Sequence, residues 1–242
     1  MSQTTAPEPT VVLVHGAFAD ASSWNGVIER LQAKGLTVTA PANPLRGIST
    51  DSDYIAGVFD ETPGPVLAVG HSYGGAIITN AAAKAKNVVG LVYVAAFAPE
   101  EGEALGEVEA GSKDSVLNSA LVPHHFPEGN GGEGVEFAID PEKFHDAFAA
   151  DLPTDETALM AATQRPVAES AFSEPNGTPA WKNLPSWAVV ATGDKAAGAD
   201  VTRSMAERAG ASITELEGSH VIMVSQPEAV ADVIVEAVDA VS

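Results

Sequence analysis

The 242-residue chain contains no cysteine. Disulfides, thiolate catalysis and cysteine-held metals are thereby excluded. Basic residues are scarce: 12 Lys and Arg stand against 33 Asp and Glu, a formal net charge of −21. A field of that sign repels phosphate backbones and anionic lipid, so neither nucleic acid nor a membrane surface is an expected partner. The acids are scattered rather than grouped, which fits a solubilising surface better than a binding patch. No stretch approaches the roughly 20 apolar residues that span a bilayer. The segment from Met1 to Pro9 lacks both the basic start and the apolar run of a secretory leader. Residues 1–9 are expected to form a flexible tail and the protein to be cytoplasmic. There is no internal repeat.

What is present is a globular composition, 45% hydrophobic, with a period that switches between short β-branched runs and longer helical patterns. That alternation predicts an α/β fold with a mostly parallel sheet flanked by helices on both faces. Six strands are expected at Thr10–Val14, Thr37–Ala40, Val66–Val69, Val88–Ala95, Ser186–Ala191 and Ser212–Glu217. Most are near-continuous apolar runs, as in parallel strands buried on both faces. Helices are expected at Ser22–Lys34, Thr50–Glu61, Tyr73–Lys86, Val201–Ala209 and Pro227–Ala240. Ser49 or Thr50 serves as a start signal for the second, and Pro227 lies in the first turn of the last. From residue 98 to 184 the rhythm breaks, with many glycines and prolines and no strong strand run. A structureless loop of that length is improbable, so helices are expected at Pro141–Ala150 and Asp155–Thr163, with a mobile stretch at Gly129–Gly134. The division predicted is a core of residues 10–97 and 185–242 with a cap insertion, 98–184, over the sheet edge.

The chemistry is concentrated in Gly70-His71-Ser72-Tyr73-Gly74, which runs from a buried strand directly into an alanine-rich helix. A G-x-S-x-G motif in that context is a nucleophile elbow. The flanking glycines let a strained turn lift the serine hydroxyl above the sheet, where a base reaches it. A tight glycine turn without function is the bland alternative. A serine needs a general base at neutral pH, and six histidines are available. His71 sits inside the elbow and points into the fold. His124, His125 and His145 fall in the insertion, where a solvated role is at least as fitting. His220 follows the last strand and precedes the final helix, so it is the candidate base. Asp194, in a turn after the fifth strand, is the candidate orienting acid, with Asp200, Glu100 and Glu101 as competitors. The oxyanion donors expected are the amides of Tyr73 and Ala17, with Phe18 in reserve, and His15 is expected to brace the Ala17 loop through backbone hydrogen bonds. Phe18, Trp24, Tyr73, Phe97, His124, His125, Trp181 and Val221 are candidates for the substrate pocket, although core packing accounts equally well for each aromatic.

With these residues the chain resembles the α/β-hydrolase superfamily over nearly its whole length. Val11-Val-Leu-Val-His-Gly-Ala-Phe18, Ser23-Trp24, Gly70-His-Ser-Tyr-Gly-Gly75 and Gly218-Ser-His220 are similar to the plant methylesterase and hydroxynitrile lyase branch and its bacterial esterase relatives. The resemblance implies a six-stranded core, a helical cap after the fourth of these strands, action on small esters or cyanohydrins, and no cofactor or metal. Lyases of that branch carry threonine after the first-strand histidine and lysine beside the catalytic one; here those positions are Gly16 and Val221. A valine offers a leaving cyanide no cation. Ser72 likewise argues against the aspartate-nucleophile dehalogenases and epoxide hydrolases. The function expected is therefore that of a serine hydrolase (a carboxylesterase with a Ser-His-Asp triad), acting on a small or medium ester with water as co-substrate, and a homodimer stays open. The alternatives are a cofactor-free lyase or oxygenase on the same scaffold and a non-enzymatic ligand-binding protein.

Overall fold

The computed structural model describes residues 7–129 and 131–242, so most of the expected N-terminal tail lies outside the described residues. The core sheet holds β1 (Thr10–Val14), β2 (Val38–Thr39), β3 (Val66–His71), β4 (Val88–Val94), and, further on, the strands Ser186–Ala191 and Ser212–Leu216. The segment between β4 and those last two carries β5 (Leu121–Pro127), β6 (Glu133–Ile139) and β7 (Val167–Ala168), so the last two are β8 and β9. The core order is β2-β1-β3-β4-β8-β9, parallel at every pairing. β3 and β8 are buried from end to end, and β4 everywhere but Val89, because both faces are covered. On one face α1 (Asn25–Ala33) packs on the C-terminal helix, Pro227–Val241; on the other α2 (Ile48–Glu61) packs on α3 (Tyr73–Ala81). The strand order reverses between β1 and β3. In an open parallel sheet the crevice beyond the carboxyl ends of the strands at that reversal is where ligands bind.

Two boundaries differ from expectation for visible reasons. Helix α2 starts at Ile48, ahead of Ser49 and Thr50, after Gly47 at φ 146°. A carboxylate from a distant segment makes this early start possible: Glu174 accepts the Ser49 amide at 3.0 Å. Helix α3 ends at Ala81 rather than Lys86, its last turn tightening as the Lys84 amide reaches back to the Ala81 carbonyl.

Between β4 and β8 lie α4 (Leu105–Ala110), α5 (Pro141–Phe148), α6 (Thr154–Thr163) and α7 (Ser170–Ser173), with α5 and α6 close to the two helices expected. The insertion also contains a three-stranded antiparallel sheet, β5-β6-β7, which the sequence pattern does not announce. Strand β5 reads Leu-Val-Pro-His-His-Phe-Pro, and two prolines argue against a central strand. It is an edge strand, the place where proline is tolerated. The glycine-rich stretch is the turn of this hairpin, closed by the Glu128 amide on the Gly132 carbonyl at 2.9 Å; Asn130 within it lies outside the described residues. The insertion is tied to the core by Arg46–Glu136 at 2.6 Å, by the Ala168 amide on the Leu45 carbonyl, and by the Val116 amide on the Lys195 carbonyl. The remaining helices are α8 (Ala199–Arg208), α9 (Ile222–Ser225) and α10 (Pro227–Val241), the last with its proline at the first position. Among the described residues no helix is long and apolar enough to cross a membrane.

Candidate active site

Strand β3 ends in Gly70-His71, and Ser72 turns the chain into α3 with φ 53° and ψ −124°. A non-glycine residue pays for that conformation, and the surroundings hold it in place. The Ser72 amide donates to the Val94 carbonyl at 3.3 Å, and its own carbonyl accepts from Phe97. Gly74 is obligatory because a Cβ there would run into the Val14 carbonyl. Gly16 is obligatory for a second reason: a Cβ would stand 2.7 Å from Cβ of Ser72. The first-strand loop therefore lies directly against the serine. A threonine at position 16 cannot be accommodated without moving one of them.

His220 and Asp194 meet at 2.8 Å, His220 Nδ1 to Asp194 Oδ2, both fully enclosed. A carboxylate only accepts, so the ring proton is on Nδ1 and Nε2 keeps its lone pair. The other carboxylate oxygen accepts the amides of Ala196 at 2.9 Å and Ala197 at 3.0 Å, so the acid is held at both ends. The loops that carry Asp194 and His220 are joined by the Gly193 amide on the Gly218 carbonyl, 2.9 Å. His71 braces the same assembly: its Nε2–H donates to the His220 carbonyl at 2.9 Å, and the rings lie 4.7 Å apart. Of the competing acids, Asp200 accepts the Ser112 hydroxyl and the Lys113 amide, Glu100 is paired with Lys182 at 2.6 Å, and Glu101 is exposed.

The loop after β1 is set by His15. Its Nε2 accepts the Asn43 amide at 2.9 Å, so Nδ1 carries the proton and donates to the Gly16 carbonyl at 2.8 Å. Burial lowers its pKa from the usual 6.5 to about 4. The Phe18 amide, the reserve oxyanion donor, is already engaged, donating to the Arg165 carbonyl at 3.2 Å. Phe18 itself is at φ 60°. Tyr73 opens α3, and the first amides of a helix have no intrahelical acceptor. Its hydroxyl donates to Asp51 at 2.8 Å in the interior, where burial raises the Asp51 carboxyl despite two hydrogen bonds from the Arg46 amide.

A pH prediction follows from His15. The folded chain keeps the ring neutral down to about pH 4 while the unfolded chain protonates it near 6.5. The stability it contributes is present above pH 6.5 and is lost as pH falls towards 4, by about 3 kcal/mol for a shift of this size. Denaturant titrations of the wild type and His15→Gln should therefore show a stability gap that closes between pH 7 and pH 4. Asp51 titrates in both proteins and cancels in the difference. A gap independent of pH would refute this account of His15.

Ser72, His220, Ala17, Phe18, Tyr73 and Phe97 line one enclosed cavity. Other sequence candidates lie elsewhere. Trp24 packs under the elbow, its ring 6.3 Å from His71 and edge-on. Trp181 donates its Nε1–H to the Pro99 carbonyl at 3.0 Å. His124 and His125 sit exposed on β5, with His125 3.1 Å from Glu133. Val221 is fully buried and is not part of the cavity wall. The wall also includes Leu117, Phe148 and Phe172, all from the insertion, and Ala196 and Ala197. Phe148 lies over His220, ring centroids 5.0 Å apart. No motif marks these residues, because their approach depends on how the insertion folds back over the sheet.

A parallel sheet with a serine elbow at its topological switch point and a histidine–aspartate pair beside it defines the α/β hydrolases as a class. The sequence profile of the alpha/beta hydrolase family matches residues 11–233, and the chain belongs to that family. A carbendazim hydrolyzing esterase of Nocardioides sp. (strain SG-4G) is 33% identical over 107 residues, covering 39% of this chain and 44% of that protein. The chain thus matches less than half the length of that esterase. A pyrethroid hydrolase of Sphingobium faniae JZ-2 superposes with a TM-score of 0.76 at 20% identity, covering 96% of this chain and 98% of the other. A methylesterase of Arabidopsis gives 0.78 at 19% identity, covering 96% and 99%. At those identities the structural likeness is one of fold. It includes the methylesterases and bacterial hydrolases that the sequence motifs resemble.

Proposed function

We propose that the chain is a serine carboxylesterase that forms an acyl-enzyme on Ser72. The observation that supports it most is the His220–Asp194 pair, whose 2.8 Å hydrogen bond on Nδ1 leaves Nε2 free as a base in the cavity that Ser72 lines. In this reading Nε2 takes the Ser72 hydroxyl proton as Oγ attacks the ester carbonyl. The amides of Ala17 and Tyr73 stabilise the oxyanion, each lost donor costing on the order of 10²–10³ in turnover. The imidazolium then protonates the departing alcohol, and water repeats the sequence to release the acid. The insertion of residues 98–184 acts as a cap that excludes bulk water from this chemistry.

Hydrolysis is favoured over carbon–carbon cleavage because no lysine or arginine lines the cavity to receive an anionic leaving group. The acyl-enzyme is tested by partitioning. Phenyl and 4-nitrophenyl acetate, hydrolysed in the presence of methanol, should yield the same ratio of methyl acetate to acetic acid, since both pass through one acetyl-enzyme. A ratio that changes with the leaving group, or no ester turnover, would contradict the proposal.

A further inference from the structure

The catalytic cavity has a free volume of about 10 Å³, room for roughly one water molecule. An ester does not fit in it as it stands. Two larger clefts adjoin it, and each shares one phenylalanine wall with it. Phe18 divides the cavity from a cleft of about 360 Å³ between the loop after β1 and α6. Phe172 divides it from a cleft of about 470 Å³ formed by α4, β5, β6 and α7.

We infer that the 470 Å³ cleft receives the acyl arm of the substrate, and that Phe172 is the movable partition that joins it to the cavity. This assignment rests on the serine esterase reading. An ester has two arms diverging from the attacked carbonyl, and His220 must protonate the one that leaves. The 360 Å³ cleft lies on that side: its wall includes Val224, from the short helix that follows His220 directly. The acyl arm is left with the other cleft, whose Leu121, Phe137 and Phe172 offer apolar surface. A volume of several hundred cubic ångströms is typical of a small-molecule site.

The two partitions are held very differently. Phe18 is 3% exposed and rests edge-on against Phe148 at 6.1 Å. Phe172 is only part-buried, sits on the four-residue α7, and its ring meets one aromatic neighbour, Phe137, at 6.4 Å. Rotation of the part-buried Phe172 side chain therefore opens a path at smaller cost than displacement of the buried Phe18. Charge narrows the substrate further. Glu107, Glu109 and Glu169 contribute to the cleft and no basic residue does, so an acyl arm ending in a carboxylate is repelled. The substrate class is an ester of a medium-length aliphatic acid that carries no second carboxylate.

The test compares kcat/KM for 4-nitrophenyl acetate, 4-nitrophenyl octanoate and the 4-nitrophenyl half-ester of succinic acid. The wild type should favour octanoate and discriminate against the succinate half-ester. Phe172→Ala should raise the octanoate-to-acetate ratio by about tenfold, and Leu121→Trp, which fills the cleft, should lower it by about tenfold. Circular dichroism establishes that each variant is folded, and either variant alone suffices. An unchanged ratio in a folded variant, or a succinate half-ester cleaved as well as octanoate, overturns the assignment. If acetate hydrolysis persists in Ser72→Ala, the esterase reading itself has failed. If it depends on Ser72 but the ratio does not move, only the acyl-cleft assignment has.

Discussion

Ser72→Ala should lower kcat for 4-nitrophenyl acetate by about a millionfold, the loss seen when a triad serine is removed and only the surrounding site is left. The fold should be unaffected. Ser72 is held in its φ 53° turn by backbone hydrogen bonds to Val94 and Phe97, and alanine keeps those bonds and the same Cβ. A melting temperature close to that of the wild type, measured on the same preparation, separates lost chemistry from lost structure. Turnover within an order of magnitude of the wild type would mean that Ser72 only orients the substrate, as in a lyase.

The second large effect is expected from Asp194→Asn, about 10⁴-fold in kcat. The direction follows from the hydrogen bonds. Oδ1 of Asp194 accepts two amides, from Ala196 and Ala197, while Oδ2 accepts the Nδ1 proton of His220. An asparagine keeps the two amide bonds by turning its carbonyl oxygen towards them, which points its NH₂ at Nδ1. A donor there forces the ring proton onto Nε2, the atom that takes the serine proton in the proposed mechanism. Glu100→Gln and Glu101→Gln should stay near wild-type activity, because Glu100 is bound to Lys182 and Glu101 faces solvent. If the large loss followed one of those substitutions instead, Asp194 would be a structural residue and the acid would lie after β4.

The core was legible because local and tertiary signals agree there. Continuous apolar runs place β1 and β8 to the residue, since buried parallel strands have no polar face to blur their ends. The elbow was legible because Gly70, Gly74 and the strand–helix junction are required by contact, not by preference. The small sheet between β4 and β8 was not, since β5 carries two prolines and depends for its strand conformation on pairing with β6, a tertiary fact. The cavity walls Phe148 and Phe172 went unseen for the same reason: an aromatic in a helix between β4 and β8 looks identical in sequence whether it faces His220 or the core. Trp24 is the converse case. Its place next to the glycine loop suggested a pocket residue, and it packs beneath His71 instead.

The claim that carries the rest is that Ser72 becomes covalently acylated with His220 as its base. Reaction with an alkyl fluorophosphonate, followed by proteolysis and tandem mass spectrometry, tests it most directly. One phosphonyl group should be found per chain, on Ser72, with ester turnover lost in proportion and with labelling abolished in His220→Ala. A protein that turns over esters while Ser72 stays unlabelled, or that is silenced by a label on another residue, would contradict it.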